Sequence, residues 1–442
     1  MRNEYIFPFR HGWARHASPV GALRISAWRA ILCLWHTKEV QMKKLLSIAL
    51  AAALFAAQAS AAADDTLTIG FTVSQTGSLN LDSVAQLHGF ELWRDEVNAA
   101  GGIKAGNQRY QVRFVSYDDQ SQGGRVQQLY TRLIVQDKAQ FLFSPYSSGL
   151  VATAAIISEQ YGKLMLTTGA AEQKTYQLGN KYLFQLYTPA DHYLTGALDA
   201  VKSKNPKATI ALVYSDDPFS KAVAIATRTQ AKERGLNVVL DESYPPSTTD
   251  FSAIINKVIS SKADALLGGG HYPDGATLAR QVYEQKAPLK WMTLLVAPDS
   301  PQFASLGDAA KGVSVPSQWA PQVTYKPDFG PTPAAFTKAF EAKYKIAPGY
   351  HAAGGYAAGL LLQHAIEQAQ SIDPQKVAAA LNQTNATTLF GGTKFSTDPK
   401  SHGLQIAHDM VLTQWLMEGG KLVKEVVWPL AAKTAALAYP YH

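Results

Sequence analysis

Cysteine is almost absent from this sequence, because Cys33 is the single thiol among 442 residues. One cysteine cannot form a disulfide within the chain, and it supplies too few ligands for a structural zinc site. Every residue after Cys33 lacks a thiol. That excludes a cysteine nucleophile, and a cysteine for lipid anchoring, from most of the protein.

The sequence also lacks the short motifs of several enzyme classes. It contains no Walker A sequence, no His-Glu-x-x-His and no Gly-x-Ser-x-Gly, the signals of P-loop NTPases, zinc proteases and α/β hydrolases. The glycine-rich stretch Gly268–Gly275 has Pro273 where a Gly-x-Gly-x-x-Gly fingerprint needs glycine. A catalytic triad assembled from distant residues stays open, because geometry and not spacing defines a triad.

No apolar run is long enough to cross a bilayer, which requires about 20 residues. The apolar stretch 45–57 follows a Met-Lys-Lys sequence that begins at Met42, and it precedes small residues that end at Ala61. A short cationic region, an apolar core and a small-x-small site are typical of a secretory signal peptide. We therefore predict a signal peptide at 42–61, with Ala63 as the alternative cleavage position.

Residues 1–41 lie upstream of this export signal, and we predict that they are a non-native extension, with translation beginning at Met42. They carry six Lys or Arg residues against two acidic ones, and Lys43 and Lys44 add two positive charges. These segments account for six of the seven net positive charges, so the predicted mature chain is close to neutral. The net positive charge of the whole sequence is therefore no evidence for a nucleic-acid or anionic membrane partner.

Strand and helix patterns alternate through the rest of the chain. Apolar residues recur at helical spacing between short apolar runs such as Ile210–Val213. This alternation predicts an α/β fold with two Rossmann-like lobes, each with a parallel sheet covered on both faces. Near the end, Glu418-Gly419-Gly420 joins two strands of a predicted β-hairpin. The predicted strands are 67–73, 110–117, 140–143, 164–167, 209–214, 237–240, 265–267, 292–295, 409–415 and 421–427, and the predicted helices are 84–97, 125–135, 151–161, 221–234, 251–260, 275–285, 334–344 and 356–369.

Ligands of open α/β sheets bind beyond the carboxyl ends of the strands, so the loops after the predicted strands are candidate binding loops. Ser144–Gly149 and Thr168–Ala171 follow two neighbouring strands and are rich in small residues and hydroxyls. Such loops expose backbone N–H groups at a helix N-terminus, where a carboxylate can bind. Ser147 and Ser148 could instead be only helix caps, but the presence of two such loops favours binding.

Aromatic and acidic side chains follow the strands of the second half. Phe219, Tyr272 and Trp319 could wall a pocket, although aromatic residues also fill cores. His271 is predicted to form a hydrogen bond and not to hold a metal, because no second His or Cys stands at ligand spacing nearby. Asp299 provides a carboxylate after the strand that ends at 295.

The predicted mature chain resembles the branched-chain amino-acid (Leu/Ile/Val) binding proteins of ABC transporters, which have the type I periplasmic binding fold. The combination of Asn98-Ala-Ala-Gly-Gly-Ile103 with a strand that ends in Tyr117-Asp-Asp119 is specific to that family. The likeness runs from about Leu67 to Pro429. The segments that carry it are 68–71, 76–78, 95–103, 117–119, 144–148, 166–170, 250–252 and 389–395.

The resemblance implies two lobes joined by a three-segment hinge, so that neither lobe is continuous in sequence. The implied boundaries are 64–188 plus 318–410 for lobe one, 189–317 plus 411–432 for lobe two, and 433–442 for a tail.

The family's ligand contacts imply a site in this chain. The loop Ser144–Gly149, which we call the serine loop, holds the carboxylate of the solute, and the loop that ends at Ala171 holds its carboxylate and ammonium. Asp299 pairs with the ammonium, and Asp274 is a nearby competitor for that role. Family members often carry threonine in the second loop, and tyrosine where Phe219 and His271 stand. The implied ligand-binding residues are Tyr146, Ser147, Ser148, Thr168, Gly169, Ala170, Ala171, Phe219, His271, Tyr272, Asp299 and Trp319.

The function that the resemblance implies is capture of a small solute (an amino acid, amide or small carboxylate) between hinged lobes, for an ABC importer. It implies a periplasmic monomer without a lipid anchor, an ABC permease as partner, and neither enzymatic activity, cofactor, metal nor nucleic-acid partner. Two alternatives stay open. Neighbouring permease genes would argue against a ligand sensor of the same fold, and a turnover assay on esters and amides would test an exported α/β hydrolase.

Overall fold

A computed structural model describes residues 65–441 of the chain. The predicted upstream extension, signal peptide and cleavage positions lie outside these residues. Two large sheets with helices on both faces confirm the predicted α/β fold with two Rossmann-like lobes. In chain order the elements are β1 (Thr66–Val73), α1 (Asn80–Ala99), β2 (Ile103–Ala105), β3 (Gln108–Asp118), α2 (Gly123–Val135), β4 (Phe141–Phe143), α3 (Ser148–Gln160), β5 (Met165–Thr167), β6 (Leu183–Gln185), α4 (Thr195–Lys204), β7 (Thr209–Ser215), α5 (Pro218–Glu233), β8 (Asn237–Tyr244), α6 (Ser252–Ser261), β9 (Ala265–Gly269), α7 (Tyr272–Glu284), β10 (Trp291–Leu294), β11 (Ser314–Ser317), α8 (Pro333–Tyr344), α9 (Tyr350–Ala369), α10 (Pro374–Asn382), β12 (Asn385–Thr388), β13 (Gly391–Lys394), β14 (Val411–Glu418) and β15 (Lys421–Trp428).

The first sheet has the strand order β2–β3–β1–β4–β5–β6. All of its pairings are parallel except that of the short β2 with β3. Leu67, Ile69 and Phe71 of the central strand β1 are fully buried in a core shared with α1, α8, α9 and α10. Leu142 of β4 and Met165 of β5 are buried with α2 and α3. Both faces of the sheet are thus covered, as its run of apolar residues predicts.

The second sheet has the order β15–β14–β11–β10–β9–β7–β8. Its strands from β7 to β11 pair in parallel, while β14 joins β11 antiparallel and forms the predicted hairpin with β15. Ile210 and Leu212 of β7 are buried with α4 and α5 on one face, and Ala211 and Val213 are buried with α6 and α7 on the other. This alternation follows from the two-residue period of a strand.

Helix α9 begins at Tyr350, six residues before the predicted start at 356. The prediction stopped at Gly354-Gly355, because glycine disfavours a helix interior. In the structure these glycines allow two helices to approach closely. A Cβ on Gly355 would lie 2.3 Å from the backbone oxygen of Gln86 in α1, and a Cβ on Gly89 in α1 would lie 2.0 Å from that of Ala352.

Several short elements were not predicted, namely β2, β6, β11 to β13, α4 and α10. Strands of three or four residues offer too few alternations to be recognised in a sequence. β11 also contains Pro316, which has no backbone N–H for a ladder hydrogen bond and argues against a central strand.

Three connecting segments meet at one buried cluster of hydrogen bonds. The Thr188 amide donates to Gln318 Oε1 over 2.9 Å, and the Gln318 side-chain amide donates back to the Thr188 carbonyl over 3.2 Å. The Thr188 hydroxyl donates to the His408 carbonyl over 2.8 Å, and His408 Nε2 lies 2.7 Å from the Gln318 carbonyl oxygen. We call Thr188, Gln318 and His408 the crossing cluster, because each residue stands where the chain passes from the elements of one sheet to those of the other.

Candidate ligand-binding cleft

A cleft lies between the two sheets, at the carboxyl ends of strands from both. Six of the twelve predicted site residues line it: Tyr146, Ser148, Gly169, Ala171, Phe219 and His271. Five lining residues were not predicted, and they are Tyr187, Tyr193, Val296, Tyr350 and His351. The strand-end rule that selected the serine loop would also have found Tyr187, which follows β6 by two residues.

The cleft is closed. A water-sized sphere has only about 10 Å³ of space in it, which is about the room that one water molecule needs. Tyr146 and His271 bridge it, with the Tyr146 hydroxyl 2.9 Å from His271 Nδ1. Because Tyr146 follows β4 and His271 follows β9, this bond joins the first sheet's side of the cleft to the second sheet's side.

His271 is held from its own side of the cleft as well. Its backbone N–H donates to Asp274 Oδ1 over 2.9 Å, which fixes the start of α7. Its Nε2 lies 3.9 Å from Asp217 Oδ1, and its ring lies 6.1 Å from the Phe219 ring. Asp274 also accepts a hydrogen bond from the Tyr244 hydroxyl. Both oxygens of Asp274 are therefore engaged within the second lobe.

The serine loop has a strained backbone. Ser147 has φ of +98° and ψ of 155°, a region that is essentially restricted to glycine and costs about 1–3 kcal/mol for other residues. The Ser147 side chain makes no capping hydrogen bond to α3. The Ser148 hydroxyl accepts hydrogen bonds from the amides of Ala171 and Glu172, each over 3.2 Å. Neither side chain therefore has the capping role that was the alternative prediction.

The loop after β5 packs closely on the serine loop. A Cβ on Gly169 would lie 2.9 Å from the Tyr146 Cα and 2.6 Å from Gln86 Oε1, so only glycine fits there. Ala170 is buried beside it, and the buried Thr168 hydroxyl has no hydrogen-bond partner among the described residues. Together the two loops form one continuous wall of the cleft.

Aromatic rings form much of the remaining lining. The Tyr193 and Phe219 rings pack edge to face at 4.9 Å, and the Tyr187 and Tyr350 rings lie 5.6 Å apart. Burial raises the pKa of each of these tyrosines well above its ordinary value, so each stays protonated and can donate a hydrogen bond. The Tyr187 hydroxyl is buried without a hydrogen-bond partner among the described residues.

Asp299 does not line this cleft, and its carboxylate is fully engaged. Oδ1 lies 2.7 Å from Lys424 Nζ and accepts a hydrogen bond from the Ser317 hydroxyl over 3.1 Å. Oδ2 accepts the backbone N–H of Tyr350, the first residue of α9, over 2.9 Å. The carboxylate thus caps the first turn of α9 and is paired with a lysine.

Asp82 in the first turn of α1 was not predicted as a site residue. Its side chain is buried, its Oδ2 has no hydrogen-bond partner among the described residues, and its Oδ1 lies 4.0 Å from His351 Nδ1. Burial raises the Asp82 pKa to about 6, and His271 together with the Tyr146 hydroxyl partly offsets that effect. Burial lowers the His351 pKa to about 3, so that imidazole is neutral beside it. No sequence pattern marks Asp82, because a carboxylate in a first helical turn is ordinary.

Two predicted wall residues lie outside the lining. Trp319 is fully buried, packs against Phe336, and donates its indole N–H to the Leu389 carbonyl over 2.9 Å. Tyr272 stands at the first position of α7, half-buried and next to His271. The sequence could not separate wall aromatics from core aromatics, because both follow strands and both are large and apolar.

Residues 65–441 contain neither a candidate metal site nor a candidate membrane span. In that part of the chain no three His, Cys, Asp or Glu side chains are grouped to hold a metal ion. Across the same residues, no helix combines the length and the apolar character needed to span a membrane.

Comparison with known proteins places this architecture among solute-binding proteins. Residues 66–421 match the profile of a family described as periplasmic binding protein. A Brucella abortus protein described as Leu/Ile/Val-binding protein homolog 8 is 27% identical over 410 residues, which cover 89% of this chain and 97% of the relative.

Two solved structures show the same fold. The branched-chain amino acid substrate binding protein LivJ of Streptococcus pneumoniae, in complex with isoleucine, has a TM-score of 0.69 at 23% identity, covering 82% of this chain and 100% of its own. A solute binding protein of an R. palustris ABC transporter, in complex with benzoate, has a TM-score of 0.69 at 21% identity, covering 84% of this chain and 98% of its own.

Proposed function

Because the chain belongs to the periplasmic binding protein family, we propose that it captures one small amino-acid-like solute between its two lobes, as its likeness to a Leu/Ile/Val-binding protein homolog supports. The solute is an amino acid or a related amide or carboxylate. It is handed on, chemically unchanged, to an ABC permease in the inner membrane, and the protein works in the periplasm as a monomer.

The observation that carries the proposal is the bond between Tyr146 and His271 across the closed cleft. A side chain from each lobe meets the other at the point where the strand-end loops converge, so closure and solute contact involve the same residues. The space left in the closed cleft is far below the size of an amino acid. Solute entry therefore requires the lobes to separate and this bond to break.

The serine loop supports a carboxylate site. A strained residue that persists in a fold is commonly retained for function, and Ser147 is such a residue at the N-terminus of the 13-residue helix α3. Helix N-termini attract anions through their free N–H groups and the helix dipole. We assign the carboxylate to Ser147 and Ser148, with Gly169, Ala171, Phe219 and the Tyr146–His271 pair around the rest of the solute.

The crossing cluster supports a hinged closure of the two lobes. We propose lobe one as 64–188 plus 318–410, and lobe two as 189–317 plus 411–432, with the crossings at Thr188, Gln318 and His408. Hydrogen bonds among the crossings keep them together while a few backbone dihedrals rotate, as in other hinge motions.

A thermal-shift and calorimetric screen of the 20 amino acids, their amides and small carboxylates tests this function. A solute at 100 times its dissociation constant should stabilise the protein by roughly 2.7 kcal/mol. Ser148→Ala should weaken binding of the solute so found, while Ser260→Ala on the exposed face of α6 should leave binding unchanged. Binding of none of these compounds, or turnover of ester and amide substrates, would overturn the proposal.

A further inference from the structure

We propose that Asp82, which lies beside the cleft, accepts the ammonium group of the solute in place of Asp299. This inference rests on the function proposed above and makes it more specific, because it requires the solute to carry a cationic amine besides its carboxylate. It assigns to α1 a specificity-determining residue that the strand-end loops do not supply.

The negative charge of Asp299 is already compensated within the protein. Its negative charge is paired with Lys424, which belongs to the same chain and is almost as buried, with side-chain exposures of 12% for Lys424 and 2% for Asp299. The Ser317 hydroxyl and the Tyr350 amide occupy further acceptor positions of the same carboxylate. A solute ammonium at Asp299 would have to displace Lys424 and leave that lysine buried without its partner.

Asp82 is a buried carboxylate whose ion-pair neighbour is a histidine and not a lysine or arginine. His351 Nδ1 of α9 lies 4.0 Å from its Oδ1. The groups that act on its pKa besides burial are His271, Tyr146, Asp299 and the Tyr272 backbone. Within residues 65–441, the ion pair of Asp82 is the one with His351, and no lysine or arginine pairs with it. Asp82 Oδ2 is also buried without a hydrogen-bond partner among the described residues.

Asp82 adjoins the cleft, because it lines a neighbouring cavity that shares His351 with the cleft and also includes Asp299. Two of the groups that act on its pKa, Tyr146 and His271, form the bond that closes the cleft, and His351 is part of the cleft lining. These contacts place the carboxylate next to the space that opens when the Tyr146–His271 bond breaks.

An ammonium group fits Asp82 better than a neutral donor does. A carboxylate buried without a counter-charge is costly, and a full positive charge with three N–H donors offsets both its charge and its free acceptor oxygen. A single hydroxyl would supply one hydrogen bond and no charge. The raised pKa of Asp82 has the same origin, because burial disfavours the charged carboxylate more than its neighbours stabilise it.

The test compares matched pairs of probes that differ only in the ammonium group. Leucine is paired with 4-methylpentanoate and phenylalanine with 3-phenylpropanoate, and 4-hydroxybenzoate serves as a probe with a hydroxyl donor and no amine. Each is titrated calorimetrically into the wild-type protein, into Asp82→Asn and into Asp299→Asn. Asp95→Asn is the control on the same helix, because Asp95 is exposed and paired with Arg94 and Lys343.

We expect an amino acid to bind the wild-type protein at least a hundredfold more tightly than its deaminated partner. Asp82→Asn should reduce affinity for that amino acid about a hundredfold and leave the deaminated partner within about threefold, so that the preference disappears. Asp299→Asn should retain the preference, and Asp95→Asn should match the wild type. A thermal unfolding midpoint at or above that of the wild type would show that Asp82→Asn is folded.

Three results would overturn the inference. One is a preference that disappears in Asp299→Asn and survives in Asp82→Asn. Another is an equal loss of both partners in Asp82→Asn. The third is tighter binding of a deaminated acid or of 4-hydroxybenzoate than of any amino acid, in which case the cleft binds solutes but Asp82 does not select an amine. If no probe binds at all, the proposed function fails and this inference fails with it.

Discussion

Lys424 Nζ lies 2.7 Å from Asp299 Oδ1, and the second oxygen of that carboxylate accepts the backbone N–H of Tyr350. The lysine comes from β15, the aspartate from the segment after β10, and Tyr350 begins α9. One carboxylate therefore connects the C-terminal hairpin to a helix that packs on the first sheet. The resemblance assigned this aspartate to the solute, whereas the structure shows it bound within the protein.

Lys424→Met should destabilise the protein strongly. Removing one partner of a buried ion pair leaves the other charge unpaired, which typically costs about 3–5 kcal/mol, and Asp299 is almost fully buried. Urea unfolding followed by circular dichroism measures the effect. Lys421→Met, at an exposed position of the same strand, should change the free energy of unfolding by less than about 0.5 kcal/mol. Equal values for the two variants would mean that the pair does not contribute to stability.

Tyr146→Phe should shift the solute-free protein toward a more open form. The substitution removes the bond that bridges the cleft and leaves His271 Nδ1 without that partner. A loss of about 1 kcal/mol of net hydrogen-bond energy changes the ratio of closed to open protein about fivefold. Small-angle X-ray scattering of the solute-free protein should report a larger radius of gyration. Tyr161→Phe, at an exposed tyrosine, is the matched control, and identical scattering from both variants would contradict the prediction.

Ser147→Gly should stabilise the fold and weaken solute binding. Glycine accepts the backbone conformation that strains Ser147, and we expect a gain of about 1 kcal/mol in the free energy of unfolding. Ser147→Ala keeps the strain and removes the same hydroxyl, so it serves as the control. Chemical denaturation separates the variants by their stability, while calorimetry should find the same loss of affinity in both. A glycine variant no more stable than the alanine variant would refute the strain at this position.

His408 should make the protein less stable in mild acid. Burial lowers its pKa from 6.5 to about 4 in the folded protein, whereas the unfolded chain has the ordinary value. The unfolded chain therefore binds more protons between these two values, and stability falls as pH drops through that window. The full difference corresponds to about 3 kcal/mol. Urea unfolding at pH 7, 5 and 4 should show a steeper loss in the wild type than in His408→Gln, and parallel pH profiles would exclude His408 as the cause.

The fold was predictable because its signals are local and repeated. Runs such as Ile210–Val213 are buried on both faces, and a helix follows most of them at the expected spacing. The start of α9 was predicted too late, because the fit of Gly355 against α1 depends on residues far away in sequence. The central strand β11, which contains Pro316, was missed for a similar reason, because its neighbouring strand β14 lies almost a hundred residues later.

The site was predictable where it follows the strand-end rule and was missed elsewhere. The serine loop and His271 came from that rule, and the structure brings both to the cleft. Asp82 and Asp299 have the same side chain, and only the position of Lys424 distinguishes a compensated carboxylate from an uncompensated one. Such a difference is set by tertiary contacts, so no spacing in the sequence records it.

The three crossings of the chain also bear on the order in which the protein assembles. The core of the first sheet needs α9 and α10, which come after all the parallel strands of the second sheet, and the second sheet ends with β14 and β15. The buried core of the first sheet includes residues as late as Phe395, and that of the second sheet includes Val427 of β15. Domains that are continuous in sequence can fold one after the other during synthesis. Neither lobe is continuous in sequence, so neither can fold as soon as one uninterrupted segment has been made. Each lobe can therefore complete its core only after most of the chain has been synthesised.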